Sequence, residues 1–525
     1  MKILILSDLF FFLVCCLLLV QRGLSEAPSF ENQEVQANLP PRGWNSYDAF
    51  SWIISEEEFL QNAEVVSQRL LSHGYQYVVV DFLWFRKKVK GSSIYAGGFD
   101  VIDEFGRMVP DPERWPSSKG GNGFAEVAKK VHSMGLKFGI HVMRGISKQA
   151  VNANTPILDV DKGSAYEESG QQWRAKDIGM TNRPCGWMRE GFMSVNTKTG
   201  AGKAFLRSLY QQYADWGVDF VKHDCVFGDD LDVDEISTVS EILKRLDHNI
   251  VYSLSPGTSA TPVMAKQVSS FVNMYRITAD DWDRWDHVAA HFDVSRDFAA
   301  ANMTGAVGLG GKSWPDLDML PLGWLTDPGV NEGPHRRCNL NLDEQRTQMT
   351  LWSIAKSPIM YGGDLRKIDE TTFNLITHPT LLEINSFSEN NKEFPFITEM
   401  KKDLKSNASF FSRVLQRLKE VNPLKNANSQ GIRSWSANGR NGELYLSIFN
   451  LNSQETTITA RVSLSGLLNS LPAKNLTAAS STCTYNEVWS GKEYGILKDT
   501  ISADIAPHGC ALFVINCKSA TRLSQ

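Results

Sequence analysis

"VDFVKHD" (218–224) runs from apolar and β-branched residues into three consecutive ionisable side chains, Lys222, His223 and Asp224. Immediately before it, Phe205, Leu209, Tyr213 and Trp216 recur at helical spacing, and Gly217 is a helix stop. The unit is therefore helix, glycine, buried strand, polar strand end. The same unit recurs on both sides. Ser55-x-x-Glu58 is a capping box that opens a helix with Phe59, Ala63, Val66 and Leu70 on one face. Gly74 ends it, and "YQYVVVD" (75–81) follows. A helix around 124–133 leads to "KFGIHVM" (137–143), and one with Ile236, Val239 and Leu243 leads to "IVYSLSPG" (250–257). "GWNSYD" (43–48), "MYRITAD" (274–280), "GAVGLGG" (305–311) and "SPIMYGG" (357–363) bring the count to eight strands.

Strands alternating with helices imply a parallel sheet. Eight units over about 330 residues suit a closed (β/α)8 barrel, an α/β fold, over residues 38–395. The rival is an open doubly wound sheet, which would more often carry a Gly-rich phosphate loop after its first strand. In a barrel all strand ends meet at one mouth. Trp44, Asn45, Asp81, His141, Lys222, Asp224, Arg276, Asp280 and Asp318 fall at or near those ends. Buried strands have no structural need for so many carboxylates there, so the pattern predicts an active site. From about 400 the pattern changes to alternating strands with turn residues, as in "GELYLSIFNL" (442–451). Residues 400–520 are expected to form an antiparallel β-sandwich.

Residues 1–27 read as a signal peptide: one Lys, an apolar run, then small residues at Ser25 and Ala27. Sequons at Asn302, Asn407 and Asn475 agree with export. The expectation is a secreted protein, extracellular or in a cell wall, with the vacuole as the other destination, and with no stable membrane insertion. Six cysteines remain after residue 27, and Cys483 is a candidate partner for Cys510 or Cys517. A net charge of −5 with no basic stripe argues against nucleic acid as a partner. Ten His with no H-x-H or His-Glu pair at the strand ends argue against a metal site, and no cofactor is expected.

"PPRGWNSYDAF" (40–50), "VKHDC" (221–225), "YRITADDWDRW" (275–285), "WPDLDMLPLG" (314–323) and "LWSIAKSPIMYGGDLR" (351–366) resemble the family-27 glycoside hydrolases, the α-galactosidases and their relatives. The resemblance spans nearly the whole chain after residue 27. It implies a retaining exo-glycosidase acting on glycans with terminal α-D-galactose or β-L-arabinopyranose. By this resemblance Asp224 is the nucleophile and Asp280 the acid/base. Trp44, Asp81, Lys222, Arg276 and Asp318 are sugar contacts. The resemblance also implies a Cys185–Cys225 bridge that pins the loop 147–195 over the pocket.

The chemistry asks for the same residue types. One carboxylate attacks the anomeric carbon, and a carboxylic acid protonates the departing oxygen. Lys222 is expected to keep Asp224 ionised while Asp280 holds the proton. For Asp224 the alternative is a plain Lys–Asp pair. "VDFLW" (80–84), "HVMRG" (141–145) and "SLSPGT" (253–258) depart from the family pattern at places that contact the sugar. His141, Arg144 and Ser255 are candidates to replace the lost contacts. A strict α-galactosidase and a catalytically weak sugar-binding barrel are the competing readings.

Overall fold

The computed structural model describes residues 36–519, except 92, 94, 162–171, 394–430, 454–456, 472–480 and 498–499. The signal-peptide reading of 1–27 and the sequons at Asn407 and Asn475 lie outside the described residues. Asn302 is exposed just beyond a helix end. No helix among the described residues is long and apolar enough to cross a membrane.

Eight strands form the barrel: β1 (Arg42–Asn45), β2 (Tyr77–Val80), β3 (Lys137–Met143), β4 (Phe220–Phe227), β5 (Val251–Pro256), β6 (Met274–Arg276), β7 (Gly311–Asp316) and β8 (Ile359–Tyr361). They pair in parallel in the order β8-β1-β2-β3-β4-β5-β6-β7. A parallel bridge between Leu320, just past β7, and Tyr361 of β8 closes the ring. The seventh strand differs from the sequence expectation. The glycine-rich run supplies only Ala306–Gly308, which folds back antiparallel on β7. The barrel strand itself is "GKSWPD" (311–316), whose Trp314 is buried. Pro315, which offers no N–H to a ladder, hides this strand from a pattern reading.

Side chains alternate between the barrel interior and the helices outside. Tyr77 and Val79 of β2, Phe220, Val251, Met274, Trp314 and Met360 share one buried cluster that fills the barrel. Val78 and Val80 belong instead to the larger core, with Phe59, Val127 and Val131 of the surrounding helices. Gly139 of β3 is an inward position between Val79 and Phe220, and a Cβ there would stand 2.9 Å from Val79 Cγ2 and 3.1 Å from Phe220 Cβ. Two residues further along the same alternation, Asp81, His141 and Lys222 follow Val79, Gly139 and Phe220. The polar mouth is thus the next inward layer above an apolar floor.

The strand Glu389–Glu393, within the stretch assigned to the barrel, hydrogen-bonds to Ile432–Asn438 of the second sheet instead. That six-stranded sheet faces a two-stranded one, Ile458–Ser463 with Thr500–Ile505, across a core of Leu446, Ile448, Val462, Ile501 and Phe513. Cys483 pairs with Cys517, its cross-strand neighbour, which leaves Cys510 and Cys338 as free thiols. The barrel helix Trp285–Ala300 holds this domain. The Arg433 guanidinium reaches Asp293 at 2.8 Å and Glu393, and His508 stacks on Trp285 at 4.0 Å.

At the base, opposite the mouth, the Asp219 carboxylate accepts from Phe138 N–H at 2.7 Å and meets His132 Nε2 at 2.7 Å and His248 Nε2 at 3.2 Å. It ties a strand, a helix end and a loop together. The Asp219 bond raises the pKa of His248 above its ordinary 6.5. Burial pushes Asp219 up, but its hydrogen bonds to His248, His132 and Phe138 outweigh this and leave it below 3.8. His248 therefore contributes stability that is complete below pH 6.5 and fades as pH rises through its folded value; the Asp219 contribution needs pH above 3.8. Urea midpoints for His248→Gln should be lowered most between those two values and should approach wild type at alkaline pH. A deficit independent of pH would mean that the contact acts by packing alone.

Candidate active site

A cavity of about 460 Å3 opens at the barrel mouth. Asp81, His141, Lys222, Asp224 and Asp280 line it, with Tyr47, Phe82, Tyr95, Trp187 and Trp282 as aromatic walls. Five of the sequence-predicted residues thus share one space. Trp44, Arg144, Ser255, Arg276 and Asp318 do not line it.

Asp224 lies inside β4 on an inward position and is nearly buried. Its Oδ2 accepts from His141 Nε2 at 2.9 Å, and its Oδ1 from the Cys225 backbone N–H. Burial pushes the Asp224 carboxyl up, but the His141 hydrogen bond and charge, the Lys222 charge and the Cys225 N–H outweigh it, so the group sits below its ordinary value. Cys225 reaches that geometry at φ +64°, an unusual backbone for a residue other than glycine. It is disulfide-bonded to Cys185. This ties the loop that carries Trp187 to the strand end at Asp224. Arg144, a candidate sugar contact, binds the carbonyls of Pro184 and Asp230 and pins the same loop.

Lys222 Nζ donates to Asp81 Oδ2 at 3.0 Å, and Asn45 Nδ2 donates to the same oxygen at 2.7 Å. Phe82 N–H binds Asp81 Oδ1 at 2.8 Å. Burial would raise Asp81, yet Lys222, His141 and these hydrogen bonds hold it at about 2. Burial likewise opposes the Lys222 ammonium, but Asp81, Asp318 and Asp224 keep its pKa above the ordinary lysine value. Both charges persist at neutral pH because each is the other's partner.

Asp280 lies beyond the end of β6, in a loop, with its side chain 55% exposed. Arg276 Nη2 approaches its Oδ1 at 3.3 Å. The neighbouring Asp281 is buried, accepts from Gln348 Nε2 at 2.7 Å, and is pushed well above the carboxylate range by burial. Only Asp280 of this pair lines the cavity.

Arg276 and Asp318 form a buried ion pair at 2.8 Å behind the wall, and the Asp318 backbone stands at φ +84°. Ser255 is buried beside a cis peptide to Pro256, and it is Pro256 that lines the cavity. Trp44 faces the opposite way. In β1 Gly43 and Asn45 take the inward positions, so Trp44 points outward, packs on Phe59, and donates its indole N–H to Gly363 O at 2.8 Å. The aromatic walls come from a short helix start and from loops, segments that period-two reasoning does not reach. Tyr47, only two residues past the inward Asn45, packs on Phe82 at 5.4 Å and Trp282 at 5.8 Å.

A (β/α)8 barrel with a buried and an exposed carboxyl group, Asp224 and Asp280, facing one cavity at its strand ends, followed by a β-sandwich, is the architecture of a class of barrel glycoside hydrolases. Comparison with known proteins identifies the family. The model described as "Alpha galactosidase A" matches residues 193–386, and that of the "Alpha galactosidase C-terminal beta sandwich domain" matches 429–515. A GH27 β-L-arabinopyranosidase of Geobacillus stearothermophilus is 31% identical with TM-score 0.73, over 93% of this chain and 98% of that one. A putative α-N-acetylgalactosaminidase of Bacillus halodurans is 30% identical with TM-score 0.69, over 91% and 97%. An α-galactosidase of Oryza sativa subsp. japonica is 24% identical over 489 residues, 93% of this chain and 86% of that one. The chain belongs to glycoside hydrolase family 27 and is an O-glycosyl hydrolase.

The two tryptophans offer a check on the geometry. Trp44→Phe should cost about 1–3 kcal/mol of stability through lost packing and an unpaired Gly363 carbonyl, with KM nearly unchanged. Trp187→Ala should raise KM roughly tenfold at similar stability, the loss of one aromatic contact. Melting curves and steady-state kinetics on both variants would show the reverse if Trp44 met the substrate.

Proposed function

We propose that this chain is a retaining exo-glycosidase that cleaves terminal β-L-arabinopyranosides and α-D-galactopyranosides. The observation that carries the reading is a carboxylate held ionised by donors on both oxygens, Asp224, sharing one cavity with the more exposed, singly contacted Asp280. Asp224 attacks the anomeric carbon as Asp280 gives its proton to the departing oxygen. A glycosyl ester forms on Asp224. Asp280 then takes a proton from water, which attacks the same carbon and frees Asp224. The buried Lys222 and Arg276 offset the negative charge around this exchange. Replacing Asp224 with Asn should abolish turnover. Asp280→Asn should spare activated aryl glycosides far more than poor leaving groups, because good leaving groups need little protonation. Equal losses across a leaving-group series would reverse the roles.

The sugar preference rests on Phe82. β-L-Arabinopyranose matches α-D-galactopyranose at every ring hydroxyl and lacks the hydroxymethyl group. Phe82 lines the cavity beside Asp81 and is fixed by edge contacts with Tyr47, His141 and Trp187. Such a wall gives the hydroxymethyl oxygen no partner and disfavours its desolvation. Met143 plays no part, being buried in the core away from the cavity walls. The kinship with a β-L-arabinopyranosidase that is also known in complex with arabinose supports the pentose. The two p-nitrophenyl glycosides should both be hydrolysed, with kcat/KM for the pentoside at least equal to that for the galactoside. Cleavage of the galactoside alone would leave a strict α-galactosidase, and cleavage of neither would leave a sugar-binding barrel. Export to an extracellular or vacuolar site is part of the proposal, supported by the N-terminal apolar run, the sequons and two disulfides.

A further inference from the structure

We propose that His141 is a positioning residue for Asp224, holding the plane and charge state of its carboxylate, and is not a sugar ligand. The proposal rests on the glycosidase reading above. A carboxylate with one donor still swings about its terminal torsion. Asp224 has a donor on each oxygen from two different strands, His141 Nε2 of β3 and the Cys225 N–H of β4. Together they define one orientation towards the cavity.

The proton inventory of the imidazole decides against a sugar contact. Asp224 Oδ2 is an acceptor, so Nε2 must carry the hydrogen that joins them. That hydrogen is committed at 2.9 Å. Nδ1 is buried and has no hydrogen-bond partner among the described residues, so the hydrogen that the ring shares with a partner is the one on Asp224. The ring is closely packed: the residue is 1% exposed and the ring lies edge-on to Phe82 at 6.1 Å, while the His141 carbonyl accepts from Trp84 Nε1 at 2.6 Å.

The charges around Asp224 point the same way. The other charged groups that act on Asp224 are Lys222 on its own strand, Arg276 of β6 and Asp230 of the following loop, with Asp81 of β2 engaged by Lys222. Lys222 gives its short contact to Asp81, and Arg276 gives its to Asp318. Among the described residues, only His141 gives Asp224 a side-chain donor. During the reaction His141 keeps its proton. As the Asp224–C1 bond forms, the leaving oxygen takes the Asp280 proton. When that bond breaks, the electron pair returns to a carboxylate already met by Nε2–H.

The test compares His141→Phe, which keeps ring volume without a donor, with His141→Gln, which keeps a donor that does not titrate. The readouts are kcat and its pH profile on the two p-nitrophenyl glycosides, inhibition by free L-arabinose, and melting temperature. The Phe variant should lose about 100-fold in kcat, the scale of a misoriented reacting group. Its acid limb should move up by about 1 pH unit as Asp224 loses its donor. Inhibition by L-arabinose should stay within about twofold of wild type. The Gln variant should recover at least about tenfold of the lost kcat and return the acid limb towards wild type. Arabinose inhibition that weakens in step with kcat would overturn the proposal in favour of a sugar ligand, as would an unmoved acid limb in a folded Phe variant. If the Phe variant does not fold, a Gln variant as slow as an inactive enzyme overturns it, and one within tenfold of wild type with its acid limb in place supports it. A wild-type protein inactive on both glycosides would refute the glycosidase reading and leave the pairing testable. The imidazole Nε2–H resonance of His141, which should differ between wild type and Asp224→Asn, reads the pairing without turnover.

Discussion

A closed barrel must fill its own interior, and every strand can do so with only alternate residues. That constraint decides both halves of the molecule. Below, Tyr77, Val79, Phe220, Val251, Met274 and Trp314 pack into an apolar floor. Above, the same alternation turns Asp81, His141, Lys222, Asp224 and Arg276 inward over that floor. The polar groups cannot retreat to solvent at the strand edge, because there is no edge. They must neutralise one another in place, and the site's electrostatics follow.

The neutralisation is selective. Asp81 and Lys222 satisfy each other, and Asp318 and Arg276 do the same one layer out. Asp224 is left with a histidine and a backbone N–H, donors on its two oxygens that favour its ionised form. Asp280 stands outside this lattice on a loop, with half of its side chain in the open. Two identical side chains thereby acquire different surroundings, one buried between two donors and the other largely in the open.

The loops and the second domain hold what the strands do not. The Cys185–Cys225 bridge ties a long loop to the residue beside Asp224. The segment after Asp280 is held by Gln348 to Asp281, by Arg336 to Asp283, and by His508 stacked on Trp285. A side chain of the β-sandwich thus rests on the helix that begins where the Asp280 loop ends.

Much of this was legible from residues alone. Helix spacing, glycine stops and polar strand ends carry the barrel, because periodicities of 3.6 and 2 are imposed by local backbone geometry. The ionisable residues of the mouth were legible because such groups at the end of an apolar run have few structural uses. Tertiary structure decided the rest. Trp44 sits one residue from an inward position, and only the register of β1 on β2 shows that it faces the helices. Pro315 masked β7, which exists because its neighbour β6 supplies the pairing. Asp280 and Asp281 are adjacent in sequence and differ only in which meets Gln348 and which meets the cavity. His141 was visible as polar and inward, but its role depends on Asp224, 83 positions away. The sequence by itself determined which side chains reach the mouth, since alternation is local; which of them touch, and so which are charged, was decided by contacts between distant strands.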